Sequence, residues 1–350
     1  MEQYKNPGFP IDLRTDVKTL PTAEMLKAAG EALLGDSKSG EDPTVTKLEK
    51  AAARMFKTEA ALLLISGTMA NLVSLLSHVP PNSAYAVDIE SHLYFYESAH
   101  SALAGTKPIT FKSSEGLIDP EDIEKTIESS GKKPRLLWLE NTHNRGGGRI
   151  IPLDIHQRLF EIARERDMAI HVDGARIFNA SVASGTPVSE YGKRADSIMF
   201  CLSKSLSCPL GSVLCGSHNF IGRARQFMLR LGGGMRQAGV IAAPGILALE
   251  TMVERLREDH ALARRLAQSV QEMDGLSVNM ETVETNMVNV DFSESGRSLE
   301  EWLEAFREAG VLAGAHRPYR IRLVTHRHHS EEIIEEASFR MEKAAKKLRR

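Results

Sequence analysis

Short apolar runs alternate along this chain with stretches whose apolar residues recur three and four positions apart. "ALLLIS" (61–66) precedes the helical "TMANLVSLLSHV", "YAVD" precedes a helix expected near 92–103, and "PITF" precedes "DPEDIEKTIES". In that last segment Asp119 suits an N-cap and Pro120 the first turn. "RLLWLE" (135–140) leads into "PLDIHQRLFEIARERD", and "AIHVD", "SIMFCLS" and "SVLCGS" supply further strands. These strands are too uniformly apolar to face water on one side. Short buried strands alternating with amphipathic helices predict an α/β fold with a mostly parallel sheet covered on both faces.

After "GGGMRQAGVIAAPG" the pattern changes. A long charged helix is expected over roughly 244–273, followed by the strand-like "TNMVNVDF", the helical "SLEEWLEAFREAGV", the strand "YRIRLVTH" and a last helix from Ser330. With 350 residues the chain exceeds what one core usually serves. The expected organisation is an N-terminal segment (1–20), a large domain (21–250) and a small C-terminal α+β domain (251–350).

Charge and composition narrow the function classes. Lysine and arginine total 44 against 46 acidic residues, so no global field favours nucleic acid or an anionic membrane. No run reaches the ~18–20 apolar residues that span a bilayer, and "MEQYKNPGFPID" lacks a leader pattern. Cys201, Cys208 and Cys215 leave one thiol over in any pairing and do not match zinc spacing, which suits a reducing, cytoplasmic setting. In the extended "THRHH", His326 and His328 should point together and His329 away, with no acidic or cysteine partner, so no metal site is expected.

Three segments carry candidate chemistry. Lys204 sits in "FCLSKSLSCPLGS" among small and apolar residues, where a lysine either snorkels or loses its charge and becomes a nucleophile for carbonyl compounds. Ser66-Gly67-Thr68 joins a strand to a helix start, a place for phosphate, although many such turns bind nothing. Asp173 ends the apolar strand of "HVDGARIF", in the crevice where open α/β sheets bind ligands, unless it serves only to pair Arg176. A phosphate cup, a strand-end carboxylate and a strand-end lysine together match pyridoxal phosphate, which needs an anchor for its phosphate, an acid for its ring nitrogen and an amine for its aldehyde.

The segments "DLRTD", "GEDPTV", "SGTMAN", "LENTHN", "HVDGARIFNA", "CLSKSL", "LGGGMRQAG" and "RLVTH", in this order, resemble the threonine aldolase family of fold-type-I pyridoxal-phosphate enzymes over nearly the whole chain. The resemblance implies a transferase-like, mostly parallel seven-stranded sheet in the large domain. It implies that Lys204 binds the cofactor aldehyde, Asp173 faces the ring nitrogen, His92 stacks on the ring, and Gly67 and Thr68 hold the phosphate. Arg236 would reach a phosphate across a subunit boundary, which implies a homodimer or a tetramer of shared active sites. Arg176 and Arg322 would fix a small amino acid's carboxylate beside Thr15, with His143 near its β-hydroxyl.

Departures gather on the substrate side. Ser39 replaces the family's tyrosine, Val17 follows Thr15-Asp16 where a threonine is usual, and "ESAH" (Glu97 to His100) replaces Glu-Ala-Gly-Gly. Met228 and Leu229 replace a basic pair, and Ser205 and Ser207 stand where glycines follow the lysine. The expected activity is retro-aldol cleavage of β-hydroxy-α-amino acids to glycine and an aldehyde. The alternatives are alanine-type racemisation or β-elimination on the same scaffold, and a non-catalytic binding paralogue.

Overall fold

The computed structural model describes residues Pro10–Leu348; "MEQYKNPGF", most of the N-terminal stretch considered above for a leader, lies outside the described residues. The chain divides into a larger unit, residues 21–146 and 150–253, and a smaller one, residues 1–20, 147–149 and 254–350. In chain order the strands are β1 (Ile11–Asp12), β2 (Ala60–Leu64), β3 (Ala84–Asp88), β4 (Lys107–Phe111), β5 (Pro134–Glu140) and β6 (Ala169–Asp173). They continue with β7 (Ser197–Cys201), β8 (Ser212–Gly216), β9 (Met287–Asp291), β10 (Val311–Leu312), β11 (Gly314–Arg317) and β12 (Arg320–Val324).

The larger unit is built on a seven-stranded sheet of order β2-β8-β7-β6-β5-β3-β4. Its neighbours are parallel except β8, which runs antiparallel to both β2 and β7. Every residue of β3, β7 and β8 is buried, as uniformly apolar strands require when helices cover both faces. Helix starts follow local chemistry. Ser66 Oγ accepts from Met69 N at the head of the helix Gly67–His78, and Asp42 caps Pro43–Phe56 through Thr44 N and Val45 N. Asp119 and Pro120 open the helix Pro120–Ser129 as their types predict.

Two helix expectations are corrected. The helix expected near 92–103 is two short ones, His92–Phe95 and Ala99–Ala104, because the chain turns at Glu97, whose side chain is buried. The charged helix expected over 244–273 is likewise two, Gly239–Thr251 and Leu256–Gln271. The first is apolar around most of its circumference and belongs to the larger unit; the second is amphipathic and belongs to the smaller. One continuous helix could not serve both patterns.

The smaller unit has an antiparallel sheet of order β11-β12-β9 and a parallel β1-β10 pair. Leu266, Val270, Trp302, Phe306, Ile321, Leu323, Ile334 and Met341 form its core. Ser298 and Glu301 cap the helix Leu299–Glu308 reciprocally. The histidine cluster departs from the extended geometry expected of it. His329 N donates to His326 O at 2.9 Å, and the turn stacks the rings of His326 and His329 with centroids 4.0 Å apart. Among the described residues no group of three His, Cys, Asp or Glu side chains is arranged to hold a metal ion, and no helix is long and apolar enough to cross a membrane.

Candidate active site

At the C-terminal ends of β5, β6 and β7 lies a cavity of about 150 Å³, lined entirely by the larger unit. Parallel strands point their carboxyl ends at one edge, so residues far apart in sequence meet there. Gly67, Thr68, Asn71, His92, Asp173, Arg176 and Lys204 all line it, with Glu97, Glu140, Thr142, Asn144 and Ser203.

Each side chain is positioned by local structure. The helix Gly67–His78 starts at the cavity, presenting its first N–H groups and positive dipole end. A Cβ on Gly67 would fall 2.9 Å from Cys201 Sγ, so only glycine lets the helix start sit this close to β7. Asp173, the last residue of β6, is buried; its Oδ1 accepts from Ala175 N at 3.1 Å and its Oδ2 from Asn71 Nδ2 at 2.9 Å. Burial and the nearby Glu140 raise its pKa, against the pull of Lys204 and His92. This carboxylate is therefore short of positive charge and suits a cationic N–H partner. Lys204 occupies the turn after β7, where Ser207 N donates to its carbonyl at 2.8 Å.

His92 heads a short helix, and its backbone N–H donates to Glu140 Oε2. Burial opposes a charge on its ring, but Glu97, Asp173 and Glu140 outweigh that and raise its pKa. Burial would likewise raise the pKa of Glu97, yet the adjacent His100 and His92 imidazoles and the Asn71 amide hold it well below the usual carboxylate range. Arg176 is buried and reaches Asn144 Oδ1 at 3.5 Å.

The remaining expected site residues are not among those lining this cavity. His143 is buried but absent from the cavity lining: its Nε2 is 3.2 Å from Asp88 Oδ2, and its Nδ1 accepts from Gly146 N at 2.9 Å. Arg236 is exposed and pairs with Asp36 at 2.8 Å, the same carboxylate that accepts from Ser39 Oγ at 2.9 Å. Thr15, which caps the turn Asp16–Lys18, and Arg322, on β12, belong to the smaller unit.

Asn71, Glu140, Thr142 and Asn144 were not singled out from the sequence. All four lie inside the quoted "SGTMAN" and "LENTHN", so their signal was position within a motif. Asn71, four residues after Gly67, comes round to the cavity one helical turn later.

Ser207 shows the cost of one departure. It sits at φ 63°, fully buried, with its hydroxyl lacking a hydrogen-bond partner. A left-handed backbone strains any residue with a Cβ, and a buried unpaired hydroxyl adds a desolvation cost. Ser207→Gly should therefore stabilise the protein by about 1–3 kcal/mol, read as a raised Tm. A lowered Tm would mean that the serine is held by contacts worth more than its strain.

The chain matches the family model of the beta-eliminating lyases over residues 12–293. It is 40% identical over 335 residues to the low specificity L-threonine aldolase of Escherichia coli K12, covering 94% of this chain and 97% of that protein. It is also 40% identical over 325 residues to low-specificity L-threonine aldolase 1 of Arabidopsis thaliana, covering 90% and 91%. Among solved structures, Leishmania major threonine aldolase superposes with a TM-score of 0.81 at 15% identity, covering 97% of this chain and 100% of that one. A Thermus thermophilus aspartate aminotransferase variant superposes with a TM-score of 0.75 at 18% identity, covering 95% and 96%. Likeness at such low identity speaks to the fold alone, the fold-type-I architecture with its mostly parallel seven-stranded sheet. The sequence match over most of its length goes further, and the chain belongs to the beta-eliminating lyase family.

Proposed function

We propose that this protein is a pyridoxal-phosphate-dependent carbon–carbon lyase that cleaves L-threonine and L-allo-threonine to glycine and an aldehyde. The observation that carries this is one cavity holding Lys204, Asp173, His92 and a free helix start, in a chain 40% identical to low-specificity L-threonine aldolases over nearly its full length. The residues fit the cofactor: a buried carboxylate short of positive charge for the ring nitrogen, a helix N-terminus for the phosphate and a lysine for the aldehyde. When bound, pyridoxal phosphate supplies an electron sink for the carbanion left at the substrate's Cα.

The protein's part is orientation and proton handling. Asp173 would hold a proton on the ring nitrogen, the N–H groups at Gly67 and Thr68 would bind the phosphate, and His92 would pack on the cofactor. Arg176, in the cavity lining, would take the substrate carboxylate. By orienting the substrate, these contacts would choose which of its bonds breaks. Retro-aldol cleavage also needs a group that removes the β-hydroxyl proton, assigned to His143 directly or through a water. With Nε2 facing Asp88, His143 takes up a proton at Nδ1 and must release Gly146 N to do so.

That double engagement of His143 favours a second reading, in which Cα–H is broken instead and racemisation or β-elimination follows. Incubation with both threonine diastereomers, L-serine and L-alanine, with all products identified, separates the two. Glycine and an aldehyde from threonine are expected; alanine racemisation without glycine release would replace the aldolase reading. His143→Phe should depress cleavage by about 10²–10⁴-fold while leaving Cα–H exchange of glycine in deuterated water far less affected. Equal losses in both rates would remove His143 from the β-side chemistry.

The protein is further inferred to be a homodimer or a tetramer of dimers, with Arg236 reaching the partner's phosphate site. Leu33, Leu34 and Val240 are exposed apolar side chains, and a Cβ on Gly239, next to Val240, would lie 2.8 Å from Leu34 Cδ2. Sedimentation should show no monomer at assay concentration; a fully active monomer would refute the shared site. Three buried thiols, with Cys208 pushed up to about 12 by burial, fit a reducing cytoplasmic compartment.

A further inference from the structure

Beside the cavity, one buried carboxylate serves two imidazoles. Glu97 Oε1 is 3.4 Å from His92 Nδ1, and Glu97 Oε2 is 3.3 Å from His100 Nδ1. Asn71 Nδ2 completes the set, donating to Glu97 Oε2 at 3.0 Å and, with its other hydrogen, to Asp173 Oδ2 at 2.9 Å. Glu97 and His100 are 7% and 6% exposed, so neither has water as a ready substitute partner. His100 lies outside the cavity lining; its Nδ1 makes no aligned hydrogen bond and has Glu97 Oε2 as its ion-pair partner at 3.3 Å. It therefore acts on the cavity only through that carboxylate.

We propose that His100 is a positioning residue: it pins one oxygen of Glu97, so that the other faces His92 Nδ1 and fixes the ring of His92 toward the cavity. A carboxylate on a two-bond stem otherwise has rotamers to sample, and an imidazole is oriented by whichever nitrogen its partner engages. Asn71 donates to the same Glu97 oxygen that His100 faces, so the two side chains hold Oε2 together. The bridge also explains the break in the helix at Glu97. The chain turns there so that His92, on one short helix, and His100, on the next, approach the carboxylate from either side. Its significance for catalysis rests on the proposed placement of His92 against the cofactor, but the bridge itself is a property of the cofactor-free protein.

The test therefore starts without cofactor. At a pH where its imidazole is neutral, nitrogen-15 NMR of the cofactor-free protein should show His92 protonated at Nδ1 as a single tautomer, facing Glu97. His100→Leu should leave a mixture of tautomers at His92, and His100→Gln, which keeps a donor, should restore the single form. Glu97→Gln should also lose the preference, by turning an obligate acceptor into a group that presents either atom. Pyridoxal phosphate affinity should fall by about tenfold in His100→Leu and recover in His100→Gln, the scale of one charged hydrogen bond. Unchanged His92 resonances in a folded His100→Leu or Glu97→Gln protein would overturn the proposal. If His100→Leu does not fold, Glu97→Gln decides by the same measurement; should neither fold, failure of folded His100→Gln to keep the single tautomer overturns it. A lost tautomer preference with unchanged cofactor affinity supports the bridge and counts instead against His92 as the cofactor's neighbour.

Discussion

Lys204→Ala should lower turnover at least about a thousandfold, and borohydride treatment of the wild-type protein loaded with pyridoxal phosphate should leave its label on Lys204. The side chain follows β7 at the edge where the carboxyl ends of β5 and β6 also finish, and it shares the cavity with Asp173. Its ammonium acts on the Asp173 carboxylate, lowering a pKa that burial and Glu140 raise. In the proposed mechanism this amine has two tasks, holding the cofactor aldehyde and returning a proton. Alanine removes the two together, and general acid–base and nucleophilic contributions of this kind are each worth orders of magnitude. The readouts are steady-state cleavage and peptide mapping of the reduced protein. A label on another lysine, or turnover within a few-fold of wild type, would refute the assignment.

Asp173→Asn should keep the fold and much of the cofactor affinity yet lose about 10²–10³-fold in kcat. The amide preserves shape, and its oxygen can still accept from Ala175 N or Asn71 Nδ2. What it cannot do is hold a proton on the ring nitrogen, because that needs a negative charge in a buried place. The loss should therefore appear in kcat more than in KM, since charge on the ring matters most as the carbanion forms. Near-normal kcat would show that Asp173 is a structural acceptor for Asn71 and Ala175 only.

Three residues expected at the site and found lining one cavity share a physical feature: each sits at a boundary between elements. Gly67 begins a helix, Asp173 ends a strand, and Lys204 follows one closely, so apolar runs and caps locate them without knowledge of packing. The same reasoning yields the parallel sheet, because continuous apolar strands have nowhere to go but between two layers of helix.

Other features depend on distance in space and had no local signal. Glu97 was visible only as part of an altered segment, yet folding places it between His92 and His100 and ties it through Asn71 to Asp173. The histidines of "THRHH" were judged by strand alternation, but the chain turns there and stacks His326 on His329. His143 carries a motif, whereas its hydrogen bonds to Asp88 and Gly146 come from tertiary packing. The sequence alone determined the strand and helix alternation, the family resemblance and the positions of Lys204, Asp173 and the Ser66-Gly67-Thr68 turn, because these rest on periodicity and on neighbours within a few residues. The tertiary structure decided which side chains share a cavity, which carboxylates lack charge and which imidazoles are already engaged. Those depend on burial and on contacts between segments as far apart as Asn71 and Asp173, 102 positions along the chain.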